Sequence, residues 1–145
     1  MTGTTRRGDD LGAALDLLDR ARATLLQACR APSCADRFVA AHLGALRLAA
    51  ALLAARPEAV RRGGPVRTVW AHLSLIAPEL SEWADYFALA GARRAAIEAG
   101  QVPSRREADD LLRSAETFAC LIAAALGLPV DAFEVEAPLA AVGGP

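Results

Sequence analysis

The sequence predicts an all-α protein, a bundle of four to five helices, and three observations carry that prediction. Alanine makes up about a quarter of the 145 residues, and it is the residue with the least side-chain entropy to lose in a helix. Apolar residues recur at spacings of three, four and seven along most of the chain, which is the helical period. Proline, glycine and Ser-x-x-Asp/Glu words divide these runs from one another. With aromatic residues at only 5%, the helices are expected to be thin and closely packed. The length suffices to bury a core without disulfides or metal. One domain is therefore expected: residues 1–8 as a flexible N-terminus, 9–127 as the bundle, and 128–145 as an extended or disordered tail.

The first helix is expected over 9–30, with Leu11, Leu15, Leu18, Leu25 and Cys29 on one stripe and Asp16, Asp19 and Arg20 mostly off it. Ala31-Pro32-Ser33 stops it, and Ser33 with Asp36 three residues on resembles a cap for the second helix, 34–56. That helix has two apolar stripes, Phe38, His42, Ala45, Ala49 and Leu52 on one side and Leu43, Leu46, Ala50 and Leu53 on another. So much apolar circumference implies a central position, or burial on one side in the bundle and on the other against a second subunit. The following RPEAVRRGGP reads as a loop fixed by Pro57, Gly63, Gly64 and Pro65. It is also the most basic stretch of the chain, with Arg56, Arg61, Arg62 and Arg67 close together.

A third helix is expected to begin near Pro65, carrying Val66, Val69, Leu73, Ile76 and Leu80. Pro78 predicts a kink or break at Ala77. SEWADYFALAGARRAAIEA continues as a helix with the stripe Trp83, Phe87, Ala90 and Ile97, and Gly91 in its middle costs stability unless another backbone passes close by. Gly100 to Pro103 closes it. Ser104 and Glu107 form an S-x-x-E capping box for the last helix, whose buried face is Leu112, Ala115, Ala119, Ile122 and Leu126. Asp109 and Arg113 are expected to pair outside it, and Gly127 and Pro129 to end it. The remaining tail holds three prolines and no helical period.

Net charge is −1 and the pI about 6.1, so any nucleic-acid partner needs a local basic patch rather than a global field. All 16 basic residues are arginine, a signature of GC-rich coding before it is one of selection for guanidinium chemistry. The longest charge-free run, Thr117 to Val130, is short of the roughly 18 apolar residues that a membrane span needs, despite a mean hydropathy of +0.26. A cytoplasmic protein with no membrane contact is expected. Cys29, Cys34 and Cys120 are read as free buried thiols. A zinc site from Cys29, Cys34 and His42 lacks a second clustered pair of ligands, so neither metal nor cofactor is expected. Activated-serine, H-E-x-x-H and metal-spaced carboxylate patterns are absent from the sequence.

Three segments, RFVAAHLGALRLAAALLAAR, VRTVWAHLSLIAPELSEWADYFALAGARRAAIEAG and READDLLRSAETFACLIAAAL, together resemble a small alanine-rich bacterial subfamily of the HEPN domain, over about residues 10 to 127. The words APELSEWADYF and EADDLLRSAE carry most of the likeness. The resemblance implies a four- or five-helix bundle, commonly a homodimer, in a superfamily that binds nucleotides or RNA. Many of its members are ribonucleases with an arginine followed four to six residues later by a histidine.

Two pairs here have that spacing, Arg67 with His72 and Arg37 with His42. The chemistry would use the histidine as acid or base at the ribose 2′-hydroxyl or leaving oxygen, and the arginine fork to hold the phosphate. Five residues along a helix rotate a side chain by about 140°, so such a pair converges only if the arginine sits at a helix start or two subunits combine. Arg67, beside Gly-Gly-Pro, meets that condition. His42 lies on the Phe38 stripe and reads as a core histidine. Where the family places its pair, ALAGARRAAIEAGQ offers Arg93 and Arg94 but no histidine four to six residues beyond.

The leading expectation is therefore nucleotide or RNA binding without cleavage. Arg61, Arg62 and Arg67 would form one phosphate-facing patch, and Arg93 and Arg94 a second, with an Arg94–Glu98 ion pair as the plainer reading. Trp70, Trp83 and Tyr86 are candidates to stack a base, but aromatics at helical spacing more often belong to a core. One alternative is a metal-independent endoribonuclease using Arg67 and His72. Another is a homodimeric module that meets an unknown protein partner and no nucleic acid.

Overall fold

The structure is a computed structural model, and it describes residues 2–65 and 67–129. Six α-helices follow in order among them: α1 (Thr2–Arg30), α2 (Cys34–Ala55), α3 (Pro57–Arg62), α4 (Val69–Ile76), α5 (Ser81–Glu98) and α6 (Arg105–Ala125), with one 3₁₀ turn at Pro78–Leu80 before α5. The chain is an all-α bundle of four long helices, with α4 as a shorter fifth, and the described residues contain no strand. Helix α2 lies at the centre and packs against α1, α6, α5 and α4. Its length and apolar character would suffice to cross a membrane. Enclosure by its neighbours accounts for the same composition. Its inner charge, Arg47, donates to the Thr24 hydroxyl, which itself donates to the Arg20 carbonyl at 2.7 Å.

Local chemistry sets several boundaries where the sequence puts them. The Ser33 hydroxyl accepts from the Asp36 N–H at 3.1 Å to start α2, and Ser104 accepts from the Glu107 N–H at 3.0 Å to start α6. Ala77, at φ −137° and ψ 74°, leaves helical space ahead of Pro78, and α4 ends there; the Pro78 ring disfavours helical backbone in the residue before it. Gly127 (φ +74°) closes α6 as a Schellman turn: its N–H reaches the Ala124 carbonyl at 3.0 Å and the Leu128 N–H reaches Ala123 at 2.9 Å.

Other expectations are corrected. Helix α1 extends N-terminally to Thr2 rather than starting at Asp9. Its buried stripe is Ala14, Leu18, Ala21, Leu25 and Ala28, while Leu11 and Leu15 are 44% and 40% exposed and Cys29 is exposed. Alanine lets α2 approach closely, so the small residues define the inner face and the leucines at 11 and 15 fall outside it. At the closest approach Gly44 faces Leu25: a Cβ built at position 44 would lie 2.6 Å from a Leu25 methyl carbon. The loop expected at 56–65 contains α3, because Pro57 occupies its first turn, where a missing N–H costs nothing. Helix α4 starts at Val69, not near Pro65, because the Thr68 hydroxyl caps it by accepting from Ala71 N–H at 3.2 Å.

The space opposite Gly91 holds an imidazole rather than a backbone, since a Cβ there would stand 3.4 Å from the His42 ring. Asp109 pairs with Arg37 at 2.6 Å, and Arg113 approaches Asp110 at 3.8 Å, in place of an Asp109–Arg113 pair. Residues 130–145 of the expected tail lie outside the described residues.

The core is completed by aromatic packing. Phe87 and Phe118 stand with ring centroids 4.9 Å apart, Trp70 stacks on Phe87 at 5.3 Å, and Trp83 stacks on Phe118 at 6.0 Å. Gly44→Val is expected to destabilise the fold by ~1–3 kcal/mol by forcing α1 and α2 apart. Gly12→Ala, at an α1 site with no neighbour within 4 Å, is expected to stabilise it by up to about 1 kcal/mol. Urea unfolding midpoints of the two variants check both signs.

Candidate functional site

Helix α3 and the turn after it place three arginines on the surface. Arg61 and Arg62 occupy the last turn of α3, Gly64 takes φ +92° as the chain reverses, and Arg67 precedes the Thr68 cap of α4. All three are exposed. Arg61 approaches Glu58 at 3.9 Å with both side chains largely in solvent. Among the described residues, the guanidinium groups of Arg62 and Arg67 meet no carboxylate.

Arg67 and His72 do come together, but through the backbone. The Arg67 N–H donates to His72 Nε2 at 3.1 Å. His72 is 9% exposed, and among the described residues its buried Nδ1 has no partner. A ring nitrogen that accepts is unprotonated, so with Nε2 engaged the ring proton sits on Nδ1. The lone pair that a general base would offer to a ribose hydroxyl is already engaged. The guanidinium is turned outward over Gly64 instead of toward the ring.

The second pair separates. Arg37 extends to Asp109 at 2.6 Å and also donates to the carbonyls of Ala28 and Cys29. His42, 4% exposed, donates from Nε2 to the Phe87 carbonyl at 2.9 Å. Its Nδ1 faces not Arg37 but Arg94, whose guanidinium lies 3.5 Å away across the α2–α5 contact. Burial holds the His42 pKa below its ordinary value, and the Arg94 charge acts in the same direction against the Phe87 carbonyl and Glu98. His42 is thus a neutral imidazole inside the bundle. Sequence spacing could not reveal its partner, because Arg94 is 52 residues away.

Arg93 and Arg94, expected as a second phosphate patch, are each held by a carboxylate. Arg93 grips Glu107 with a two-pronged fork at 2.7 and 3.2 Å and donates to the Gln101 side chain at 2.5 Å. The Arg93 hydrogen bonds hold the Glu107 carboxyl below its usual range. Only the Ser104 half of the predicted capping box therefore forms, since the Glu107 side chain faces α5. Arg94 meets Glu98 at 2.5 Å. Trp70 and Trp83 belong to the aromatic core, and Tyr86 lies at the surface with its ring edge-on to Phe87 at 5.1 Å.

The cysteines do not gather into a metal site. Among the described residues no group of three His, Cys, Asp or Glu side chains could hold an ion. Cys29, exposed as a residue, directs its thiol toward Glu116 at 3.8 Å, and partial desolvation of the sulfur together with that carboxylate pushes the thiol pKa up. A shallow groove of about 380 Å³ runs between α1, α2 and the end of α5, floored by Ala35, Val39, Leu43 and Ile97 with Asp36 and Glu98 among its lining residues. Those carboxylates disfavour a phosphate there.

The family model described as SAV_6107-like HEPN matches residues 28–123, which is 96 of the 145 residues. The chain belongs to the HEPN family. The match runs from the last turn of α1 into α6, so most of α1 precedes it in this HEPN domain. No curated protein and no solved structure matches the chain.

The His42 environment has a pH signature. Because its folded pKa lies below the ordinary 6.5, the unfolded chain takes up a proton first as pH falls. Its contribution to stability is present above that value and is lost as pH drops below it, levelling once the folded ring also protonates. From about pH 7.5 to about pH 5.5 the urea midpoint of the wild type is expected to fall more than that of His42→Gln.

Proposed function

We propose that this HEPN domain binds the phosphates of RNA or a nucleotide without cleaving them, through Arg61, Arg62 and Arg67, in a cytoplasmic setting. The observation that carries this reading is the contrast among arginines. Arg37, Arg93 and Arg94 are each matched by a carboxylate at 2.5 to 2.7 Å, whereas Arg62 and Arg67 present theirs to solvent. Guanidinium planes fit phosphate oxygens two at a time, and such contacts position a nucleic acid without reading its bases. The imidazoles support the non-cleaving reading: one donates to Phe87 and faces the ion-paired Arg94, and the other accepts from the Arg67 N–H.

Fluorescence anisotropy with a labelled single-stranded RNA is the test. Affinity is expected to fall as salt rises, and each of Arg62→Ala and Arg67→Ala is expected to flatten the log–log slope by about 0.7. Degradation of mixed RNA by the wild type that His72→Ala and Arg67→Ala both abolish would overturn the non-cleaving reading. Salt-independent binding or none at low salt would remove the phosphate-binding one.

A second reading, a homodimer or a contact with another protein, is favoured by α5. Its outer side carries Leu89 at 76% exposure and Tyr86 at 41%, with Ala88 and Ala92 also exposed. Glu82 and Asp85 are exposed beside them, so the apolar patch is small and rimmed by carboxylates, a pattern that suits a polar-edged contact. The second subunit first expected against α2 is proposed against α5 instead, because α2 packs against α1, α4, α5 and α6 of its own chain. In sedimentation equilibrium the wild type is expected to run as a dimer and Leu89→Arg as a monomer.

A further inference from the structure

We infer that the turn between α3 and α4 selects an unpaired nucleotide, Leu75 packing on the face of its base while Arg62 and Arg67 hold its phosphates. The inference rests on the reading of those arginines as a phosphate site and adds what the site takes, single-stranded RNA rather than duplex. It starts from two adjacent glycines. Gly63 and Gly64 leave bare backbone at the turn, and a different side chain lies over each. A Cβ built at Gly63 would stand 3.6 Å from a Leu75 methyl carbon, and one built at Gly64 would stand 3.9 Å from a guanidinium nitrogen of Arg67. The two Cα atoms are about 3.8 Å apart across a trans peptide. An exposed methyl group and an exposed guanidinium therefore flank one short stretch of uncovered backbone.

The surface is held in place from both sides. The Gly63 N–H reaches the Ala59 and Val60 carbonyls, each at 3.2 Å, and the Gly64 N–H reaches the Arg61 carbonyl at 3.4 Å. From α4 the buried His72 ring accepts from the Arg67 N–H at 3.1 Å. Arg62 directly precedes Gly63, while Glu58 approaches Arg61 at 3.9 Å. Leu75 is 48% exposed, two residues from the fully buried Leu73. Trp70 and Trp83 are occupied in stacking on Phe87 and Phe118, so at this turn the apolar partner for a base is Leu75. A nucleotide joins a phosphate to a flat ring through one sugar, and this surface offers a contact to each. In A-form duplex RNA a protein meets phosphates, 2′-hydroxyls and base edges, because stacked neighbours cover the faces of the bases. An unpaired base can be splayed out and packed on an apolar side chain. The leucine contact is therefore open only to a single strand.

The test is fluorescence anisotropy of the full-length chain at low salt with three fluorescein-labelled probes: oligoadenylate, an abasic strand of the same length, and an RNA duplex of that length. The wild type is expected to bind oligoadenylate about 3- to 10-fold more tightly than the abasic strand. Leu75→Ala is expected to lose that preference while keeping the wild-type affinity for the abasic strand and the duplex, and the same salt slope. Leu75→Phe, with a larger flat face, is expected to widen it. Equal wild-type affinity for the intact and abasic strands overturns the inference, and salt-dependent binding of both would leave the phosphate reading standing. A Leu75→Ala protein that keeps the preference overturns it as well, as does one whose affinity for the duplex falls as far as that for oligoadenylate. Failure of the wild type to bind either strand removes the phosphate site and this inference with it.

Discussion

The architecture depends on α2 being buried along most of its circumference. Phe38, Ala41, His42, Ala45, Leu48, Ala49 and Leu52 are buried, and the stripe of Leu43, Leu46, Ala50 and Leu53 is half-buried. A rod so apolar is stable in water only when other helices enclose it. That requirement fixes the positions of α1 and α6 along its sides and sends α4 and α5 across the remainder. It also decides which polar groups can enter. Arg47 is accommodated because Thr24 receives it, and His42 because the Phe87 carbonyl does. Each satisfies a group that would otherwise be costly to bury.

The same packing sorts the arginines. Those on faces where two helices meet acquire carboxylates from the opposite helix, Arg37 from α6 through Asp109 and Arg93 from α6 through Glu107. These pairs are half-exposed and contribute modestly to stability, but they define registry between α2, α5 and α6 and remove their charges from service as anion contacts. Helix α3 has no such neighbour for its arginines. Its guanidinium groups remain available because the helix is short and peripheral, with none of its residues buried.

What the sequence made legible was what short-range chemistry decides. The hydroxyl caps at Ser33 and Ser104, the break at Pro78 and the glycine stop at Gly127 each depend on residues within a few positions of one another. Helical periodicity placed Phe38, His42, Ala45, Ala49 and Leu52 of α2 and Leu112, Ala115, Ala119 and Ile122 of α6 on faces that are buried. It left out Leu48, Leu111 and Phe118, which are buried beside them, and Leu126 is only half-buried. It misassigned α1, where alanines at 14, 21 and 28 share the inner face with Leu18 and Leu25 while larger leucines lie outside. The candidate site was legible only in part. Arg61, Arg62 and Arg67 are exposed together, but the Arg67–His72 spacing brought together a backbone N–H and a ring rather than two side chains. The contacts of Arg94 with His42 and of Arg37 with Asp109 join residues 52 and 72 apart, and no local pattern encodes them.

The facing of Gly44 and Leu25 has an evolutionary corollary. These two positions divide one fixed volume between two rods, so a gain of bulk at either must be matched by a loss at the other if the axes are to keep their separation. Among relatives that retain α1, a larger residue at the glycine position should travel with a smaller one opposite. Chains lacking that first helix would be released from the trade altogether.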